Sequence, residues 1–369
     1  MRDQRRSKAW LSVEGTCGAT VLGAIIAVGM VRPAMAFTIS PVYDSSITSL
    51  PNAASIESAF NTVAGDYASS FAGSAVINVG VSWGSVGGYS LSSNAAGASV
   101  DNLYGYFNYS SIKGYLTQAS RNTPSNTVLA TAVAHLPAVA PSGVGQYVVP
   151  SSEAKVLGLI SPTQTGMDGY IGFAGSVAGY TFNPAGGIAS GTYDFQAVAA
   201  HELDEMLGRI TGLANTSPSY RTVFDLFRYS ATGTLDFGYN DVAYLSIDGG
   251  KTSLGTFNSS SAGGDRSDWL RAGTSFDVQD AFISTGQALN LTAADLAGLD
   301  ALGYGGSNLG GSNAAPTTAA FHLIETPEPA SLSLLLTGLV ASLAAGTRLR
   351  RGPPLSEKRS GSQPAAVAG

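Results

Sequence analysis

The stretch from Asp194 to Gly212, DFQAVAAHELDEMLGRITG, constrains this chain more than any other. Phe195, Ala199, Leu203, Met206 and Ile210 recur at helical spacing and form an apolar stripe. Asp194 suits an N-cap and Gly212 a stop, so the pattern predicts one helix with Gly208 inside it. A glycine in a helix interior costs ~1 kcal/mol relative to alanine, and close approach of another segment is one reason to place it there. Away from the stripe, His201 and Glu205 stand four residues apart, one helical turn, and project together. Glu202 lies on the adjacent flank. The competing expectation is an ordinary amphipathic helix whose charged face is simply solvated.

This spacing differs by one residue from the H-E-x-x-H helix of zinc peptidases, where two histidines bind the metal and the glutamate takes a proton from the metal-bound water. A glutamate at the second ligand position is chemically competent, because carboxylates bind zinc. Three protein ligands and an open position are needed for hydrolysis. In the longer form of the motif the next histidine falls on Thr211, a poor ligand. Of the other histidines, His135 is expected to be structural and His322 lies near the C-terminus. Asp225, in FDLFRY, is the preferred third ligand, since it follows the helix by a loop and a buried aspartate needs a partner. An ion pair with Arg228 or Arg209 is the equal alternative. Tyr229 is a candidate to hydrogen-bond a tetrahedral intermediate, against a plain core or surface tyrosine. A His/Glu/Asp set would be harder than three histidines and more tolerant of manganese or calcium, with zinc the first expectation.

Both ends of the chain read as processing signals. Residues 1–36 combine a basic start, an apolar core from Ala19 to Val31 and a small-residue cleavage site at Ala34 to Ala36, the pattern of a secretory signal peptide. Cys17 is the single cysteine and leaves with that peptide, so no disulfide is expected in the mature protein. Residues 309–325 read as a flexible linker. Residues 326–351 carry Pro-Glu-Pro, an apolar run ending at Gly346, and the arginines Arg348, Arg350 and Arg351; a hydrophilic tail occupies 352–369. This three-part order resembles the PEP-CTERM sorting signal of Gram-negative bacteria. The resemblance implies transient membrane anchoring and removal of the tail by an exosortase, after signal peptidase has acted at the other end. The destination would be the cell surface, the extracellular matrix or the medium.

Residues 37–308 form the exported body. Residues 1–36 and 326–369 each hold five basic and two acidic residues, out of 19 and 25 in the chain. The part between keeps 9 basic and 21 acidic residues, a net of −12. An acidic body argues against nucleic-acid binding and leaves carboxylates for metal ions. Asp265, Asp268, Asp277 and Asp280 make an acidic cluster that could hold calcium, although their spacing is not that of an EF-hand and a solvated loop is the stronger expectation. Helical periodicity marks Ile56, Phe60, Val63 and Tyr67; strands are expected over Ala75 to Gly84 and Gly169 to Ser176, and helices over Val128 to His135 and from about Thr292.

The segments AAHELDEMLGR, DLFRYSATGT, YLSIDGGKT, FNSSSAGGDRSDW and DLAGLDALGY together resemble a bacterial secreted family of zincin-like metalloproteases whose members often end in a PEP-CTERM signal. The likeness spans roughly Ala54 to Tyr304. It implies an α+β fold: a mixed sheet, an active-site helix carrying His-Glu-x-x-Glu and a smaller C-terminal subdomain. It also implies a zinc-dependent metalloendopeptidase of unknown peptide substrate. Two other readings compete, a catalytically inactive zincin-like binding protein and a matrix or surface structural protein.

Overall fold

A computed structural model describes residues 36–305, apart from 93–94, 176–178, 214–219, 262 and 272–275. All but the last residue of the expected signal peptide, and the linker, sorting signal and tail, lie outside the described residues, as does His322. Among the described residues no helix is long and apolar enough to cross a membrane.

The fold is mixed α and β. The first half contains β1 (Thr38–Tyr43), α1 (Ala53–Ser70), β2 (Val76–Trp83), β3 (Gly97–Asp101), β4 (Leu103–Phe107), α2 (Tyr109–Asn122) and α3 (Thr127–His135). Then come β5 (Gln146–Pro150), α4 (Ser151–Val156), β6 (Gly169–Phe173) and α5 (Phe195–Met206). The second half is built from short strands: β7 (Tyr220–Thr222), β8 (Arg228–Ala231), β9 (Thr234–Leu235), β10 (Tyr244–Leu245) and β11 (Gly255–Thr256), before the closing helix α6 (Ala293–Ala301).

The principal sheet has the order β1-β2-β6-β3, parallel except for β3, which runs antiparallel along β6 at one edge. A second sheet, β7-β5-β4, and an antiparallel third sheet, β9-β8-β10-β11, complete the framework. Ile56, Phe60, Val63 and Tyr67 are all buried on α1, as their spacing predicts. The alternation of β2 likewise buries Ile77, Val79 and Val81.

The helix that carries the motif starts where expected. Asp194 caps α5 by accepting from the backbone N–H of Gln196 at 3.0 Å and of Ala197 at 3.2 Å. The other end differs. The helix stops at Met206, and Gly208, with φ of 105°, breaks it rather than continuing it to Gly212. A left-handed conformation favours glycine because a Cβ is strained there. Space is not the constraint, since an ideal Cβ would stand 3.4 and 3.5 Å from Leu302 and Glu153, ordinary contact distances.

Burial pushes the Asp194 carboxyl up to about 6, against the opposing pull of the capping N–H groups. For an acid raised in this way, the stability it contributes is complete below its ordinary value of 3.8 and is lost as pH rises through about 6. Asp194→Asn keeps the acceptor oxygen and removes the ionisation. We expect it to flatten the fall in thermal midpoint over that pH window and to gain on the order of 3 kcal/mol over wild type at neutral pH. Parallel melting curves at a series of pH values check this; identical slopes would contradict it.

Candidate metal centre

The face of α5 opposite the apolar stripe is not solvated. His201 is 6% exposed, Glu202 1%, and Asp204 and Glu205 are fully buried. Every residue of the helix except Gln196 is buried: β3 and β6 cover one flank, α1 another, and Asp268, Val278 and Gln279 meet it at His201. Burying so many carboxyls costs free energy unless each finds a partner. Asp204 finds Tyr67, whose hydroxyl donates to it at 2.6 Å.

His201 is oriented by the backbone. Its Nδ1 lies 2.8 Å from the carbonyl oxygen of Val278, which makes Nδ1 the protonated nitrogen and leaves the Nε2 lone pair facing inward. That nitrogen stands 4.0 Å from Oε1 of Glu205 and 3.8 Å from Oδ1 of Asp268. His201, Glu205 and Asp268 are the one group of three ligand-type side chains found among the described residues, with ligating atoms all within 4.8 Å of one another. Asp268 is fully buried, and burial pushes its carboxyl well above the usual carboxylate range, with the nearby Asp265 and Glu205 adding to the rise.

This donor set fits a divalent cation. His201 Nε2 and both Asp268 oxygens are buried without a hydrogen-bond partner, and each such group costs about 1–3 kcal/mol when left unsatisfied. An ion at their convergence would satisfy all of them together, and one nitrogen with carboxylate oxygens is a set zinc accepts.

Asp268 arrives through backbone pairing. Its carbonyl accepts from Asn258 N–H at 2.8 Å, and Trp269 N–H donates to Gln279 at 2.7 Å, so the strand-like stretch at 268–270 is held between two neighbours. Trp269 stacks on Phe257, donates its indole N–H to Asp295 at 2.8 Å and lies 4.3 Å from the Arg209 guanidinium. Arg209, fully buried, donates to the Gln279 side chain, and Gln279 donates in turn to the His201 carbonyl at 3.1 Å. One network thus ties the C-terminal end of α5 to the segment that carries both Asp268 and the Val278 carbonyl.

Asp225, the expected third ligand, stands outside this group. Its carboxylate accepts from Thr211 Oγ1, from the N–H of Gly212 at 2.8 Å and of Thr222 at 2.9 Å, and from Thr222 Oγ1 at 3.2 Å. The aspartate is buried with partners, as its setting requires, but they are Thr211 and Gly212 just after α5 and Thr222 of β7. The alternative of an ion pair also differs from what is found. Arg228 donates to the carbonyls of Arg266 and Asp241, with its guanidinium 4.8 Å from the Phe257 ring centroid. Tyr229 sits on β8 with its ring against Gly250, a core tyrosine of the third sheet.

Asp265 adds its charge to the surroundings of Asp268, while Asp277 and Asp280 bond within a turn of their own. Asp277 accepts from Gln279 N–H and Asp280 from Asp277 N–H, so both organise the turn below Trp269. Burial pushes them up, Asp277 to about 9 and Asp280 to about 7. Only Asp268 joins the histidine. His135 is structural, with Nδ1 on the Thr131 carbonyl at 2.9 Å.

Two residues of β3 meet the motif from the sheet side. An ideal Cβ on Gly97 would lie 2.6 Å from Oε1 of Glu202 and 2.8 Å from its Cγ. Ser99, two positions along the same face, donates its hydroxyl to Oε2 of Glu205 at 2.8 Å. Neither carries a motif signal in the sequence. The chain matches no protein-family model, no curated protein and no solved structure.

Proposed function

We propose that the protein is an exported metal-dependent peptidase in which His201, Glu205 and Asp268 hold a zinc ion and Glu202 is the general base. The observation that carries this reading is the convergence of three buried ligand atoms within 4.8 Å, with a glutamate next to the histidine on the same helix. Zinc bound by such a set supplies Lewis acidity toward a scissile carbonyl. Glu202 accepts the proton of the attacking water and returns it to the leaving amine, a role that calls for a carboxylate beside the ligands rather than among them. The reading further takes the body as zincin-like, with α5 as its active-site helix and the antiparallel edge strand β3 alongside. Export by the N-terminal signal and sorting through the PEP-CTERM segment by an exosortase belong to the same proposal, with peptide or protein as substrate.

A second reading is favoured by one observation. Glu202 is only 1% exposed, packed against Gly97, and closed sites are characteristic of structural ions. A catalytically inactive ion-binding protein would have this enclosure without needing substrate access.

The secreted protein is expected to contain about one equivalent of zinc and to hydrolyse a peptide library, with Glu202→Gln retaining the zinc and losing ~10²–10⁴-fold in rate. Elemental analysis beside a quenched-fluorescence peptide assay checks both. Zinc without hydrolysis in the wild type would leave the inactive ion-binding reading. Undiminished hydrolysis by Glu202→Gln would remove that residue from the chemistry.

A further inference from the structure

From the contact between β3 and the motif helix we infer that Ser99 is a positioning residue that sets how Glu205 presents itself to the ion, and hence which ion the site selects. The inference rests on the metal-binding reading above. A glutamate has two equivalent oxygens and, unlike histidine, can offer one or both to a metal. Here the two are distinguished. Oε2 accepts the Ser99 hydroxyl at 2.8 Å, while Oε1 is the atom that faces His201 Nε2 at 4.0 Å.

Ser99 is itself 2% exposed and lies on a strand paired along its whole length to β6, so its hydroxyl has little freedom to turn elsewhere. Its hydrogen bond holds Oε2 away and leaves Oε1 as the ligating oxygen. This matters for selectivity. Zinc takes four ligands, with carboxylates readily bound through one oxygen, whereas calcium takes six to eight oxygens and often binds carboxylates through both to reach that number. A serine that occupies one oxygen of Glu205 therefore disfavours calcium and suits zinc. Such a device would keep a site with two carboxylates from filling with the wrong cation.

The test uses the full secreted protein with Ser99→Ala and Ser99→Thr, stripped of metal and titrated with zinc and with calcium against a chromophoric chelator. Ser99→Ala is expected to weaken zinc binding ~10–100-fold, the usual effect of losing a hydrogen bond to a ligand, and to tighten calcium binding. Ser99→Thr keeps the hydroxyl and is expected to bind both ions as wild type does. Cobalt(II) substitution gives a second readout. The intense visible bands of four-coordinate cobalt should persist in wild type and Ser99→Thr and give way in Ser99→Ala to the pale spectrum of higher coordination. A role confined to folding would lower the melting temperature without moving this spectrum. Wild-type zinc affinity and cobalt spectrum in Ser99→Ala would overturn the role of Ser99 while leaving the metal site intact. Failure of the wild type itself to bind zinc would overturn the metal site and this inference with it.

Discussion

Replacing Asp268 with alanine is expected to abolish metal binding as completely as replacing His201 or Glu205, whereas Asp225→Ala should leave the ion in place and weaken the fold. The two aspartates are both buried and both flank the motif helix in space, yet their partners differ in kind. Neither oxygen of Asp268 has a hydrogen-bond partner, and Oδ1 lies 3.8 Å from His201 Nε2; removing one of three ligands leaves an open, weak site. Asp225 accepts four hydrogen bonds from Thr211, Gly212 and Thr222. Its loss strands several buried donors, a cost of roughly 2–6 kcal/mol at the usual net ~0.5–1.5 kcal/mol per hydrogen bond. Asp225→Asn keeps part of the network and should fall between alanine and wild type in stability, with full metal content. Elemental analysis and thermal melts of the same samples separate the two effects. Loss of zinc from a well-folded Asp225→Asn, with zinc retained in Asp268→Ala, would reverse the assignment.

On the peptidase reading proposed above, Gly97→Ala should eliminate most hydrolysis while sparing the metal. A methyl at this position would overlap Glu202 and also Val198 Cγ1, each nearer than 3.0 Å. Because β3 is held to β6 along its length, the side chain rather than the strand has to move. Displacing a catalytic group by about 1 Å can cost ~10²-fold in rate, and overpacking of a closed core costs about 1–3 kcal/mol. None of the three proposed ligands supplies the atoms nearest the new methyl, so zinc content should be unchanged. Zinc-loaded Gly97→Ala with wild-type turnover would show that Glu202 does not depend on this clearance.

Much of the framework was legible from periodicity. The pattern Ile56, Phe60, Val63, Tyr67 marks a helix because only one face of it meets the sheet, and the alternation through Ile77, Val79 and Val81 marks a strand for the same reason. Asp194 declared itself as a cap through a short acidic side chain placed just before an apolar helical run. The end of α5 was misjudged because the stripe continues through Ile210, and hydrophobic spacing alone does not reveal that Gly208 takes a positive φ. The solvated-face alternative for α5 also gave way, since periodicity reports where the strongest apolar contact lies and is silent on whether the other face is covered as well.

The third member of the metal cluster illustrates the same limit at longer range. Asp268 was visible only as part of an acidic group with Asp265, Asp277 and Asp280. Asp225 had the better claim by position, an aspartate between apolar residues soon after the helix. What distinguishes them is which neighbours the backbone brings up. Trp269 pairs with Gln279 and sets Asp268 beside the helix, and Val278 follows to orient the imidazole.

The sequence by itself determined the helix, its cap and the one-turn pairing of His201 with Glu205, because 3.6-residue periodicity is a local property of the chain. Tertiary structure decided that this face is enclosed, that Asp268 rather than Asp225 completes the cluster, and that Gly97 and Ser99 meet the two glutamates. Those contacts join segments far apart in the chain, and backbone hydrogen bonding, which leaves no mark on side-chain spacing, determines which of them come together.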